Sequence, residues 1–273
     1  MSTTTITAEL QRTHSRSPRR PRLVNAELLK LRKRRGLILA TFALTVLPMI
    51  AAYIILVILH ATEPAKHGPP GGLENFSGSM YVLTQLGVVA AILLGATAGA
   101  GDLGSGVFRE LVVTGRSRLA LFVARVPAGL GLAVAAVWAG FTVTAVASTA
   151  LAGSLQAPGA SLLVESAAWL AIVVGVALLL ALGVSSAVGS RGTTIGVVVA
   201  WELVLMPFLL QMGTLGSLRE LLPFAALERV GPSALFDGGV AVPMSLSAAI
   251  AVIAAWTIVP LAAGAWRTSS RDA

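Results

Sequence analysis

The chain has 273 residues, of which 56% are apolar and only 12% charged, and its mean hydropathy is +0.85. A soluble globular protein carries about a quarter charged residues, so a soluble fold is excluded, and an apolar body with a net charge of +8 describes an integral membrane protein instead. Cysteine is absent, which excludes disulfide frameworks, thiolate metal sites and cysteine nucleophiles.

Residues 1–20, MSTTTITAELQRTHSRSPRR, are polar and lack apolar periodicity, and they are expected to form a disordered cytosolic tail. The membrane domain then occupies 21–273. It opens on PRLVNAELLKLRKRRG, where Asn25 is the candidate N-cap. Val24, Leu28 and Leu31 recur on one helical face, with Glu27, Lys30 and Arg34 facing away. This predicts a short amphipathic helix at the headgroup level, its cations near anionic lipid. The basic region and the apolar run after it are both too long for a signal peptide, so the first span is read as uncleaved.

A stretch of about 20 uncharged apolar residues crosses the hydrocarbon of a bilayer. Six such stretches predict an all-α membrane protein with spans at about 36–59, 79–101, 126–152, 162–188, 192–211 and 244–266. Between the last two spans, GSLRELLPFAALERVGPSALFDGG predicts a short helical hairpin broken at Pro223 and ended at Gly231-Pro232. Of the 20 Lys and Arg, 17 fall on the side of the termini and only Lys66, Arg219 and Arg229 on the other. The positive-inside rule then puts both termini in the cytosol, with the hairpin outside.

The sequence offers little chemistry. It contains no HExxH, CxxC or GxSxG pattern, and none of its lysines (Lys30, Lys33, Lys66) follows a Gly-x-x-x-x-Gly, so no Walker A loop is present. No catalytic site, metal site or cofactor is expected, and neither is nucleic-acid binding. One ionisable residue, Glu202, lies near the middle of a span, where a charge costs about 2.5–3.5 kcal/mol on insertion scales. It is expected to be neutral or hydrogen-bonded to Gln85, Thr84, Ser185 or Ser186, either lining a translocation path or joining two helices. Gly95–Gly99 and Gly192–Gly196 have GxxxG spacing, which favours close packing within the chain. Trp266 and Tyr81 are candidate interface anchors, and Pro207 and Pro260 candidate kinks.

The most informative segment is the cytosolic connection from Asp102 to Arg125. It passes Gly104 and Gly106, forms a short helix-like stretch at Val107–Val113 with Arg109 and Glu110 exposed, and turns at Thr114-Gly115. With Asp102, Gly106, Phe108, Arg109, Thr114, Ser117, Arg118 and Arg125 in this order, the chain resembles the permease subunits of type-2 ABC exporters. Asp102 replaces that family's Glu, Val107 its Thr and Gly115 its Pro. The resemblance extends to the six spans, the amphipathic N-terminal helix and the outer hairpin. It implies a permease driven by a separate cytosolic ABC ATPase, paired with a second permease copy or a paralogue. It also implies that Asp102, Gly106, Arg109, Glu110 and Arg118 contact that ATPase. Two rivals remain: a proton-coupled secondary transporter using Glu202, and a non-transporting membrane scaffold or immunity protein. An Ala-, Gly-, Val- and Arg-rich composition with three Lys points to a GC-rich bacterial genome, hence to a bacterial plasma membrane.

Overall fold

The computed structural model describes residues 20–104, 117–236 and 242–270. The predicted tail, the segment carrying Gly106, Arg109 and Glu110, and part of the loop before the last span lie outside the described residues.

The described residues are mostly helical and contain no strand. Helix α1 (Arg20–Lys33) precedes α2 (Arg35–Thr62), α3 (Leu73–Gly104), α4 (Arg118–Ala150) and α5 (Ala160–Val188). The fifth span is composite: α6 (Arg191–Ala200), a π-helical turn (Trp201–Leu205) and α7 (Met206–Gln211). A 3₁₀ segment (Gly213–Leu221), α8 (Pro223–Val230) and α9 (Leu246–Ser270) complete the chain. The predicted six spans are present, since six helical stretches are long and apolar enough to cross a membrane. Their number is even, so both ends of the described chain lie at one end of the bundle, here called the basic end.

Three expectations are corrected. Asn25 is not an N-cap: α1 already starts at Arg20, where Pro21 suits the first turn because its missing N–H is not needed there. Glu27 does not face away from the bundle. It is buried on the same face as Leu23 and Leu31, and Lys30 Nζ lies 3.0 Å from its carboxylate and neutralises it. That face packs on Leu121 and Ala124 of α4. The third correction is the start of α4, which is at Arg118 rather than near Val126. The intervening LALFVAR is made of good helix formers, and its Leu121, Phe122 and Ala124 are buried.

The core is the seam between α3 and α5. Gly95 and Gly99 present bare backbone to Leu178, Leu182 and Ser185, so a Cβ at either position would strike the facing helix. Ile92, Leu94, Leu178 and Leu182 are fully buried along this seam. Lipid tails supply no hydrophobic drive to bring helices together, so close approach and dense packing carry the association. The Gly95–Gly99 pair thus packs within the chain, as expected. Gly192 and Gly196 face open space. Buried hydroxyls are returned to their own helices: Thr84 donates to the Met80 carbonyl at 2.7 Å and Thr97 to that of Leu93 at 2.7 Å. Between α2 and α4, Thr45 donates to the Ala136 carbonyl at 2.9 Å, and Tyr53 hydrogen-bonds Ser148.

At the basic end Gly189, with φ of 81°, ends α5 in the left-handed conformation that a Cβ disfavours. Ser190 then caps α6 by accepting from the Thr193 N–H. The hairpin at the opposite end folds back along the bundle. Trp169 of α5 donates from Nε1 to the Leu227 carbonyl at 2.8 Å, and Trp256 of α9 donates to that of Leu221 at 2.9 Å. Each Trp lies some ten residues inside its helix, so these contacts sit about 14 Å in from the helix ends. The Leu227 and Leu221 carbonyls of the hairpin are thereby tied to α5 and α9.

Candidate functional site

Helices α3, α5 and α8, the fifth span and the Leu235-Phe236 stretch after α8 line a partly open cavity of about 340 Å³ that runs inward from the hairpin. Helix α3 supplies a stripe of Ser77, Tyr81, Thr84, Gln85 and Val88, spaced to lie on one helical face. At 1.5 Å per residue the stripe extends from roughly 6 Å to roughly 22 Å from the start of α3. Helix α5 contributes Trp169, Val173 and Ala177; the fifth span contributes Glu202, Met206 and Gln211; and α8 contributes Phe224, Leu227 and Glu228.

Glu202 reaches the cavity from the π-helical turn. Pro207 has no N–H to return to the Leu203 carbonyl, and its ring would crowd that carbonyl in a regular helix. The turn before it widens, and the Met206 N–H bonds the Trp201 carbonyl five residues back. The added residue rotates the α6 side of the span relative to the α7 side. Trp201, beside Glu202, stacks on Trp256 of α9 with ring centroids 5.4 Å apart, which fixes the turn from behind. The kink expected at Pro207 is therefore a π turn. At Pro260 of α9, Gly183 of α5 lets the two backbones meet directly.

Of the partners expected for Glu202, the structure brings Thr84 and Gln85 to the same cavity. Ser185 and Ser186 belong elsewhere, on the α3–α5 seam, where Ser186 donates to the Gly99 carbonyl at 3.4 Å. Glu202 itself makes no hydrogen bond or ion pair with any described residue. Glu228 was missed from sequence. It sits half-buried on α8, and burial pushes its carboxyl above the ordinary value. The signal was present, because Phe224, Leu227 and Glu228 share one face of PFAALERV. Tyr81, expected as an interface anchor, is 65% exposed and stands at the cavity wall as well.

At the basic end, Asp102 lies in the last turn of α3 and Arg118 opens α4, so these two bracket the 105–116 connection. Arg118 donates from Nη1 to the Ser269 carbonyl at 3.3 Å, tying α4 to the end of α9. Arg125, read from sequence as a loop cation, is inside α4 and only 1% exposed. Its Nη1 donates to the Gly99 carbonyl at 3.1 Å. Gly99 thereby joins α3, α4 and α5 at a single carbonyl.

No curated protein sequence resembles the chain closely enough to register as a match. The model of the ABC-2 family transporter proteins matches residues 23–209, which run from α1 through the π-helical turn and most of α7 and leave out the hairpin and the last span. That match covers more than half of the chain and agrees with the six apolar helices, so the protein belongs to the ABC-2 family of transporter membrane proteins.

Proposed function

We propose that this chain is the permease subunit of an ATP-driven exporter in a bacterial plasma membrane, with both termini in the cytosol. Membership in the ABC-2 family makes it a transport component and implies a partner ATPase. The sequence has no Walker A loop, so ATP hydrolysis is assigned to that partner. The observation that carries the reading is the family match over residues 23–209, which includes α3, α4 and the connection between them.

In this reading Asp102, Gly106, Arg109, Glu110 and Arg118 contact the ATPase. Movement of the 105–116 connection would pull on the ends of α3 and α4. The Ser186–Gly99 and Arg118–Ser269 hydrogen bonds give that pull a route from α3 into α5 and from α4 into α9. The Glu202 cavity serves as part of the path, beside a second permease copy or a paralogue. ATPase and substrate then influence each other only through states to which they bind unequally.

The test is co-purification of a Walker A-bearing ATPase with the tagged permease from its source membranes. Arg109→Glu is expected to reduce the ATPase recovered by about tenfold, the effect of some 1.4 kcal/mol at one contact, while membrane insertion is unchanged. Undiminished recovery and ATP hydrolysis would remove the coupling assignment. Transport by the wild-type chain in proteoliposomes without any ATPase would replace the export reading with a secondary transporter.

A further inference from the structure

The cavity beneath the hairpin has a lining of definite chemistry. Among the described residues its charged groups are two carboxyls, Glu202 and Glu228, with no Lys, Arg or His beside them. Two cations of the hairpin segment hydrogen-bond to backbone carbonyls and form no ion pair with a described residue. Arg219 donates to the Gly216 and Leu210 carbonyls at 3.3 Å, and Arg229 to that of Met244 at 3.0 Å. Gln85 and Gln211 add amides, and among the described residues neither these nor the two carboxyls have a hydrogen-bond or ion-pair partner. Ser77, Tyr81 and Thr84 add hydroxyls, and the remaining wall is apolar and aromatic. Trp169 meets Phe236 edge-on at 5.2 Å, Phe224 faces the same space, and the pliable Met80 and Met206 are fully buried behind it.

We infer that this cavity binds an organic cation with an aromatic or otherwise apolar body, its charge held between Glu202 and Glu228. A carboxylate at membrane depth without a counter-charge is costly, and a cationic ligand supplies that counter-charge. Aromatic rings favour cations over anions through their quadrupoles, which adds to the same selection. The volume of about 340 Å³ suits a compact multi-ring molecule and is at the small end for ligand pockets. An anion would meet two carboxyls and no cation. A large peptide would not fit inside the cavity of one copy.

This inference rests on the proposed path, and its test needs no ATPase. The full chain in lipid nanodiscs is titrated with radiolabelled tetraphenylphosphonium, with empty nanodiscs subtracted. Radiolabelled tetraphenylborate, of the same shape and opposite charge, is titrated separately in the same way. Saturable phosphonium binding is expected, and no saturable tetraphenylborate binding. Glu202→Gln and Glu228→Gln are each expected to weaken it by about tenfold, and Glu165→Gln, an exposed carboxyl outside the cavity, to leave it unchanged. Should Glu202→Gln fail to fold, as read by size-exclusion chromatography, Glu228→Gln decides the matter alone. The inference is overturned by absence of saturable binding, by equal binding of tetraphenylborate, or by wild-type affinity in the folded Gln variants. Failed cation binding in a chain that still recovers its ATPase removes the ligand class alone. Cation binding in a chain that recovers no ATPase removes the export reading and leaves the site.

Discussion

At the scale of single residues, two pairs of glycines with identical spacing do different things. Gly99 lies against Ser185 and the Leu182 carbonyl, and a Cβ there forces α3 and α5 apart. Gly99→Ala is therefore expected to cost about 1–3 kcal/mol, the usual penalty for overpacking. Gly196 has nothing within 4 Å, so Gly196→Ala should leave the stability of a single chain equal or slightly higher. Thermal unfolding in detergent separates the two, and equal losses would mean that Gly196 is packed. Glu228 offers a second test at this scale. Burial holds its carboxyl above the ordinary 4.5, so the folded state binds the proton more tightly than the unfolded one. Its contribution to stability is then fully present below pH 4.5 and is lost as pH rises through the raised folded value. Glu228→Gln should remove that part of the pH dependence and gain relative to wild type toward neutral pH. Superimposable pH profiles would show that the carboxyl is solvated.

At the scale of elements, the π-helical turn is the feature that places Glu202, and Pro207 is its cause. Replacing Pro207 with Ala restores a donor for the Leu203 carbonyl and lets the span revert to a regular helix. Reversion removes one residue from the turn and rotates one side of it by about 100° against the other. Because the chain has no cysteine, Glu202→Cys reports its own accessibility without background. Its labelling by a water-soluble thiol reagent is expected to fall several-fold when Pro207→Ala is added, and unchanged labelling would detach the turn from the proline. Such detail was beyond the sequence, which marked Pro207 as a kink without the geometry. The spans were legible because each is a run of apolar residues long enough to cross a bilayer. The start of α4 was not, because Arg125 interrupts its run, and only the packed structure reveals the Gly99 carbonyl that receives this cation. Glu202 was legible as a lone charge in an apolar span. Glu228 was hidden in a segment where a charge looks ordinary, and its burial depends on α8 folding back beside α5.

At the scale of the whole molecule, the charge distribution and the cavity imply one orientation. The sequence assigns seventeen of its cations to the side of the termini and three to the other, and by the positive-inside rule the basic end is expected in the cytosol. The cavity runs inward from the hairpin end, so in that orientation it lies toward the outer face, where the proposed exporter would release its substrate. Burial adds a constraint on what surrounds the chain. Most of α2 and nearly all of α9 are left unburied by the rest of the chain, which leaves both as outer walls for lipid or a second copy. The topology is testable with the same cysteine-free background. Ser154, in the exposed turn after α4, and Ser117, at the exposed start of α4, stand at opposite ends of the bundle. In intact cells a membrane-impermeant maleimide is expected to label Ser154→Cys and to spare Ser117→Cys until the membrane is opened. Ser270→Cys, exposed at the end of α9, should behave as Ser117→Cys does. The reverse pattern would place the basic end outside and turn the cavity toward the cytosol, where it would load substrate rather than release it. Mixed labelling of Ser117→Cys and Ser270→Cys would be inconsistent with six spans, because an even number of crossings returns both to one side.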